Sequence, residues 1–271
     1  MAQAWLIASG KGGVGKSTLT TALGMALARS GQRVCIVDGD IGLRDQDALL
    51  GLENNVVYDL VDVANNACRL PQALISPPGL DKLSLLPASQ FARSKELSAK
   101  AFTKVLTALK EQFDHVLIDC PAGIERGLRG LMVGDVDRTV IVCTADDVCI
   151  RNAERAASVI EKKQLPRPEI IVNRLQADLI RAGEMYSAQT VAQTLDLSLL
   201  GEVPEEPMVT RAMLRHVPLM DVDCPARDAL NRIARRMQGE EAPLPAYGSE
   251  KLSWFKRHFG HKLKEVKPID C

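Results

Sequence analysis

Seven short apolar runs constrain the fold of this 271-residue chain more than any other feature of its sequence. They lie at residues 5–8, 34–37, 83–86, 115–118, 140–142, 170–172 and 199–203. The runs are rich in Val, Ile and Leu without polar alternation, which is typical of strands buried on both faces of a parallel sheet. Segments between them, such as 17–30, 98–112 and 152–163, have apolar residues at helical spacing. The pattern predicts a doubly wound α/β fold, with a mostly parallel sheet and helices on both faces.

Composition narrows the functional classes. The chain is 46% hydrophobic and 25% charged with zero net charge, which disfavours a protein that coats nucleic acid along its whole surface. Its seven cysteines form no C-x-x-C pair, so a zinc ribbon, a dithiol redox site or an iron–sulfur carrier is unsupported. The first residues, MAQAWLIASGKGG, include no basic region, and we expect no signal peptide. No apolar run approaches the ~20 residues of a membrane span, so any membrane contact is expected to be peripheral.

A phosphate-binding motif follows the first apolar run. Residues 10–18 read GKGGVGKST and match G-x-x-x-x-G-K-[ST] between a predicted strand and a predicted helix, which is the context that this motif requires. Glycines let backbone amides approach phosphate oxygens, and the helix directs its positive end at the anion. Lys16 is expected to reach the β- and γ-phosphates, and the Ser17 hydroxyl to ligate Mg²⁺. The predicted nucleotide-binding residues here are Gly10, Lys11, Gly12, Gly13, Val14, Gly15, Lys16, Ser17 and Thr18.

Carboxylates follow two further runs. Asp38 and Asp40 lie at the end of the second run, and Asp119 closes the fourth, ahead of Gly123. Because ligands of such folds bind at the carboxyl ends of the strands, we expect these groups beside the phosphate loop. Asp119 has the Walker B arrangement and would hold Mg²⁺ through water, with Asp38 also assigned to the metal site. The amide of Gly123 would contact the γ-phosphate.

Polar residues also follow the last two runs. Asn173 and Arg174 come after the sixth run, and Pro204 and Glu205 come after the seventh. An asparagine amide can bond a purine edge with both of its polar groups, but it can equally cap a helix. Spacing alone leaves both interpretations open.

The last part of the chain, after residue 238, differs from the rest in its predicted structure and in its net charge. Residues 1–238 are predicted to form the nucleotide-binding domain, 239–249 a flexible linker with two prolines and two glycines, and 250–267 an amphipathic helix. Residues 251–271 hold six basic and two acidic residues, a charge of +4, which leaves −4 for the rest of the chain.

The predicted helix suits a membrane surface. Leu252, Phe255, Phe259 and Leu263 fall, with Val266, within an arc of roughly 80°. The predicted membrane contacts are Leu252, Trp254, Phe255, Lys256, Arg257, Phe259 and Leu263. Apolar and basic residues in this pattern favour a helix lying in an anionic bilayer interface. Docking of the helix on the protein's own domain is the alternative.

The segment KGGVGKST at 11–18 resembles the deviant Walker A motif of the ParA/MinD ATPase family. The resemblance implies that Lys11 reaches across a homodimer to the partner's nucleotide, so that ATP is held between two subunits. It implies that Asp40 positions the attacking water, which makes Lys11, Lys16 and Asp40 the predicted catalytic residues. It also places Asn173, Arg174, Pro204 and Glu205 around adenine. The implied cofactors are ATP and Mg²⁺.

Further segments resemble the septum-site-determining branch of that family. They are DIGLR at 40–44, VVYDL at 56–60, LPASQ at 86–90, CPAGIE at 120–125 and the tail segment WFKRHFG. The resemblance implies an ATPase that binds the inner face of the cell membrane from the cytoplasm as a dimer and helps to place the division septum. It implies a division inhibitor partner, MinC, and a topological factor such as MinE, with docking near residues 151–155. No specific nucleic acid is expected.

Two other functions remain as alternatives at this point. A ParA-type partition ATPase would bind DNA through basic patches, whereas the −4 body and the apolar-basic tail favour lipid. A small-molecule kinase would share the phosphate loop, but it would leave Lys11 and the tail without a role.

Overall fold

A seven-stranded sheet organises this chain in the computed structural model, which describes residues 2–92, 96–123 and 131–245. The strands are β1 (Gln3–Ala8), β2 (Val34–Asp38), β3 (Leu83–Leu86), β4 (His115–Asp119), β5 (Arg138–Thr144), β6 (Glu169–Leu175) and β7 (Ser198–Pro204). Their order across the sheet is β3-β2-β4-β1-β5-β6-β7, and every pair of neighbouring strands is parallel. All seven predicted runs are strands, and the predicted α/β fold is confirmed. Since each neighbouring pair is parallel, the sheet is wholly rather than mostly parallel.

Helices connect these strands. Those in the described residues are α1 (Lys16–Arg29), α2 (Gln46–Leu50), α3 (Leu60–Ala64), α4 (Leu70–Ala73), α5 (Ala99–Gln112), α6 (Asp147–Lys162), α7 (Ala177–Ala182), α8 (Ala188–Leu195), α9 (Pro207–Leu214) and α10 (Pro225–Met237). Short 3₁₀ turns occur at Glu53–Asn55 and Leu219–Asp221. Helix α6 begins five residues earlier than the spacing predicted, because the Asp146 carboxylate caps it by accepting the Cys149 backbone N–H at 3.0 Å.

The strand order determines where a ligand can bind. Strand β1 lies in the middle of the sheet, between β4 on one side and β5 on the other. The chain leaves β1 toward β2 on the first side and crosses later to β5 on the second, so the order reverses at β1. Such a switch point opens a crevice at the carboxyl ends of the strands. The phosphate loop follows β1 and therefore lies at that crevice.

The structure describes part of the predicted linker and none of the predicted membrane helix. Within 239–245, Ala242 is buried, and its carbonyl oxygen accepts a hydrogen bond from Arg236 Nη2 at 2.5 Å. The seven predicted membrane contacts, 252–263, lie outside the described residues, and the domain boundaries stay predictions. Among the described helices, none is long and apolar enough to cross a bilayer.

Glu202 on β7 makes the stability of the domain pH-dependent. Its side chain is buried, and its Oε1 atom has no hydrogen-bond partner in the described structure. Burial raises the pKa of the carboxyl to about 7, although the charges of Arg232 and Arg236 on α10 oppose the shift. A group with a raised folded-state pKa contributes stability at acid pH that is lost as the pH rises through that pKa. The free energy of unfolding therefore falls as the pH rises from about 4.5, the ordinary pKa of the carboxyl, to about 7, its pKa in the folded protein.

We expect the unfolding free energy of Glu202→Gln minus that of the wild type to increase by about 1–3 kcal/mol from pH 5 to pH 8. Glutamine keeps the shape of the side chain but has no charge to bury. Urea denaturation at both pH values measures the difference. The control is Glu161→Gln, an exposed carboxylate on α6, for which the difference from wild type should not change with pH. A pH-independent difference for Glu202→Gln would contradict the expectation.

Candidate nucleotide site

The phosphate loop has a backbone that requires glycine at two positions. Gly13 and Gly15 have φ angles of 78° and 92°, in the left-handed region that glycine adopts without strain. A Cβ atom on Gly15 would lie 2.5 Å from Asn173 Nδ2, and one on Gly10 would lie 2.2 Å from the carbonyl oxygen of Asn152 on α6. Lys11, Gly12 and Gly13 are exposed at the tip of the loop. The loop is thus packed at both ends and open to solvent in its middle.

Lys16 and Asp119 form a buried ion pair at the base of this loop. Lys16 Nζ lies 2.6 Å from Asp119 Oδ1, and the two side chains are 6% and 1% exposed. Thr20 Oγ1 donates to the same oxygen at 3.2 Å, and Lys16 Nζ donates to Ser17 Oγ at 3.3 Å. A buried pair depends on such extra hydrogen bonds, because removing either charge leaves the other unpaired in a low dielectric.

The same contacts test whether Mg²⁺ would fit. The Ser17 hydroxyl and the Asp119 carboxylate both contact the Lys16 ammonium group, so their oxygens already converge on a cation. The described residues contain no cluster of three or more His, Cys, Asp or Glu able to hold a metal. Mg²⁺ commonly binds with one or two protein oxygens, phosphates and several waters, so this donor set suits it.

Asp38 and Asp40 lie beside this pair but have different surroundings. The Asp38 side chain is buried, and its two oxygens accept the backbone N–H groups of Asp40 and Gln46, both at 3.0 Å. Burial raises the pKa of Asp38 to about 7 despite these bonds, and the neighbouring charge of Asp119 adds to the shift. These contacts assign Asp38 to holding its loop, and its predicted place at the metal stays a prediction.

Asp40 is half-buried and lies close enough to Lys16 to interact with its charge. Burial raises the pKa of Asp40, and the positive charge of Lys16 opposes that shift. A carboxylate near a phosphate-binding lysine is well placed to orient a water molecule. The role of Asp40 in positioning the attacking water stays a prediction.

Gln46 is a site residue that the sequence analysis missed. It is fully buried, and its side chain bonds Asp119, Ser17 and Thr21. A glutamine carries no charge and matches no motif, so the single available signal was its position shortly after Asp40.

The predicted base-binding residues lie at adjacent strand ends. Asn173 is buried, and its Nδ2 donates to the carbonyl oxygen of Val14 in the phosphate loop at 2.8 Å. Arg174 is exposed with a φ of 57°, and Glu205 donates its backbone N–H to the carbonyl oxygen of Leu175 at 2.8 Å. Pro204 pairs with Leu175 in the ladder between β6 and β7. The structure thus brings the four residues to one edge of the sheet, while contact with adenine stays a prediction.

Lys11 and Gly123 complete the predicted set. Gly123 follows β4 with a φ of 85°. Lys11 is exposed but lies within electrostatic range of Asp146 at the start of α6. Although burial opposes the shift, hydrogen bonds from Thr144 and Cys149 and the charge of Lys11 hold the pKa of Asp146 below its usual value.

The chain is similar to known proteins both in sequence and in fold. The ParA family model, described as NUBPL iron-transfer P-loop NTPase, matches residues 1–238. The septum site-determining protein MinD of Bacillus subtilis (strain 168) is 40% identical over 247 residues, which cover 90% of this chain and 92% of that protein.

Two solved structures are similar over nearly their whole length. One is from the MinC:MinD cell division protein complex of Aquifex aeolicus, with a TM-score of 0.82, 35% identity, and coverage of 91% of this chain and 99% of that chain. The other is the septum site-determining protein MinD of Pyrococcus horikoshii OT3 complexed with Mg-ADP, with a TM-score of 0.76, 26% identity, and coverage of 88% and 96%.

Proposed function

Since this chain belongs to the MinD septum site-determining proteins, within the ParA family of P-loop NTPases, we propose that it is a Mg²⁺-dependent ATPase that pairs around ATP and binds the membrane as a pair. Its role as a MinD-type ATPase in division-site placement follows from the family. The pairing, the metal, the membrane and the individual partners belong to the proposal.

The contrast between the two lysines of the phosphate loop carries this proposal. Lys16 is buried and paired with Asp119 inside its own site, whereas Lys11 is exposed at the loop tip. One cation is therefore built into the chain's own phosphate site, and the other is free to reach the phosphates bound by a second copy. A cation supplied by a partner stabilises transition-state charge in phosphoryl transfer.

Each part of the site has a role in hydrolysis. The amides of the loop and the positive end of α1 bind the phosphates, and Lys16 contacts the β- and γ-phosphates. Ser17 and, through water, Asp119 would hold Mg²⁺, which when bound neutralises charge on the phosphates. Asp40 orients the attacking water, and Gly123 contributes its amide at the γ-phosphate.

The tail would convert pairing into membrane binding. Each basic residue near an anionic leaflet contributes about 1 kcal/mol, and the apolar stripe of 252, 255, 259 and 263 adds burial that the cost of ordering the tail partly offsets. One tail therefore binds weakly. When two tails belong to one dimer, binding of the first raises the effective concentration of the second at the membrane. The dimer therefore binds at least about 10²-fold more tightly than a single tail. Hydrolysis separates the pair, and each tail releases.

Partners would dock on α6. Val148 is 57% exposed near the start of this helix, and Arg151, Glu154 and Arg155 are exposed along it. A mixed apolar and charged surface of this kind suits a protein partner. The similar Aquifex aeolicus structure is a MinC:MinD complex, which supports a MinC-type inhibitor here. A MinE-type factor is the proposed second partner.

Iron transfer, which the ParA family description mentions, has less support in this chain. The sequence contains no C-x-x-C pair. Cys120, which follows Asp119, is fully buried, and this burial raises the pKa of its thiol. An uncharged buried thiol is a poor metal ligand.

Co-sedimentation with vesicles tests the proposal. We expect the full chain to pellet with anionic vesicles in the presence of ATP and Mg²⁺ and to remain largely in the supernatant with ADP, because only the pair has two tails. Deletion of residues 250–271 should abolish pelleting, and Phe255→Ala with Phe259→Ala should weaken it by about 10-fold or more.

The matched controls keep the domain intact. Zwitterionic vesicles should capture little protein, because the basic tail then lacks its electrostatic attraction. The deleted chain should still hydrolyse ATP, since the nucleotide site lies within residues 1–238. Equal pelleting with ADP and ATP would contradict the avidity mechanism, and pelleting of the deleted chain would contradict the assignment of the tail.

A further inference from the structure

Gln46 joins three parts of the nucleotide site through a side chain with no charge. Its Nε2 donates to Asp119 Oδ2 at 2.8 Å and to the carbonyl oxygen of Ser17 at 3.1 Å. Its Oε1 accepts from Thr21 Oγ1 at 2.6 Å. Both amide N–H groups are thereby used. The side chain ties the first residue of α2 to the end of β4 and to the first two turns of α1.

The backbone of Gln46 makes a fourth connection. Its N–H donates to Asp38 Oδ2, while Asp38 Oδ1 accepts the N–H of Asp40. Both ends of the segment 40–46 are therefore bonded to the same carboxylate, and Gln46 fixes the far end against α1 and β4. The position of the Asp40 backbone depends on where Gln46 is held.

The two oxygens of the Asp119 carboxylate accept hydrogen bonds from different kinds of donor. Oδ1 receives Lys16 and Thr20, and Oδ2 receives the amide of Gln46. A neutral amide orients the carboxylate without neutralising it. Among these donors, Lys16 alone balances the negative charge of Asp119.

We propose that Gln46 is a positioning residue for hydrolysis: it holds the segment that carries Asp40 in register with Asp119 and the phosphate loop. The inference rests on the proposed ATPase function. A misplacement of about 1 Å in a catalytic group costs about 10²-fold in rate, so the effect of losing this connection should be on turnover rather than on nucleotide binding.

Hydrogen exchange of the nucleotide-free protein tests the connection directly. In Gln46→Leu, which keeps most of the volume and removes all three side-chain bonds, we expect peptides covering 39–46 to exchange at least about 10-fold faster than in the wild type. The matched control is Gln193→Leu, an exposed glutamine on α8, for which exchange in 39–46 should stay unchanged. Unchanged exchange in Gln46→Leu would overturn the inference.

Steady-state hydrolysis separates positioning from packing. We expect kcat to fall at least about 10-fold in Gln46→Leu while KM for ATP stays within about threefold, and Gln46→Asn, which keeps a shorter amide, to recover part of the loss. Equal losses in the leucine and asparagine variants, or parallel losses in binding and turnover, would show a packing role and overturn the inference. A wild-type chain that hydrolyses no ATP would instead refute the proposed function, and the exchange experiment would still show whether Gln46 holds the segment 40–46 in place.

Discussion

Replacing Lys16 by alanine should lower kcat/KM for ATP hydrolysis by about 10³-fold. The Lys16 ammonium lies 2.6 Å from Asp119 and beside the Ser17 hydroxyl, at the base of the loop that we propose to bind the phosphates. In the proposed reaction the Lys16 ammonium interacts more strongly with the γ-phosphate in the transition state than in the bound substrate. The substitution removes this interaction. It also leaves the buried Asp119 carboxylate unpaired. A coupled assay of phosphate release and binding of a fluorescent ATP analogue measure the two losses.

A double variant separates catalysis from stability. Lys16→Ala with Asp119→Asn removes both charges, so the unfolding free energy should recover by about 1–3 kcal/mol over Lys16→Ala alone. Hydrolysis should not recover, because the Lys16 ammonium is still missing from the phosphate site and the Asp119 carboxylate proposed to hold Mg²⁺ is now missing as well. Wild-type turnover in the double variant would mean that Lys16 serves the fold and not the reaction.

Replacing Lys11 by alanine should lower ATP hydrolysis at least about 10²-fold and should abolish ATP-dependent pairing. Lys11 is exposed at the loop tip, so its removal leaves no buried charge unpaired and the fold should be unaffected. Sedimentation velocity with ATP and Mg²⁺ measures pairing. The control is Lys162→Ala, an exposed lysine at the end of α6, which should pair and hydrolyse as the wild type does.

Mixing two inactive variants tests whether Lys11 acts in the partner's site. In a mixed pair of Lys11→Ala and Asp40→Ala, the Lys11→Ala subunit keeps its own Asp40 and receives Lys11 from its partner. One of the two sites is then complete, and the mixture should hydrolyse ATP faster than either variant alone. A rate equal to the mean of the two variants would refute action across the pair.

The strands and the phosphate loop could be predicted from sequence because each leaves a local pattern. Strands buried on both faces are continuous apolar runs, and β2 and β4 are buried at every position. The loop is a contiguous motif with fixed flanks. Apolar spacing placed the start of α6 at residue 152, whereas the helix begins at Asp147, directly after its capping residue Asp146.

Contacts between distant segments left no such pattern. Asp38 and Asp119 are register partners on β2 and β4, so sequence alone could not tell which carboxylate faces Lys16. The hydrogen bonds of Asp38 to Asp40 and Gln46 make the distinction. Gln46 was missed for the same reason: its partners lie 29 and 73 residues away and meet only because β4 inserts between β1 and β2.

The contact between Gly10 and Asn152 limits how α6 can change. A single added carbon at Gly10 would lie 2.2 Å from the Asn152 carbonyl oxygen, so the first turn of the phosphate loop rests directly on the backbone of the helix. Redesign of the exposed side of α6 for a new binding specificity must therefore keep its main chain in place to within a few tenths of an ångström. Evolution of that surface can exchange side chains freely but cannot shift the axis of the helix without altering the nucleotide cradle behind it.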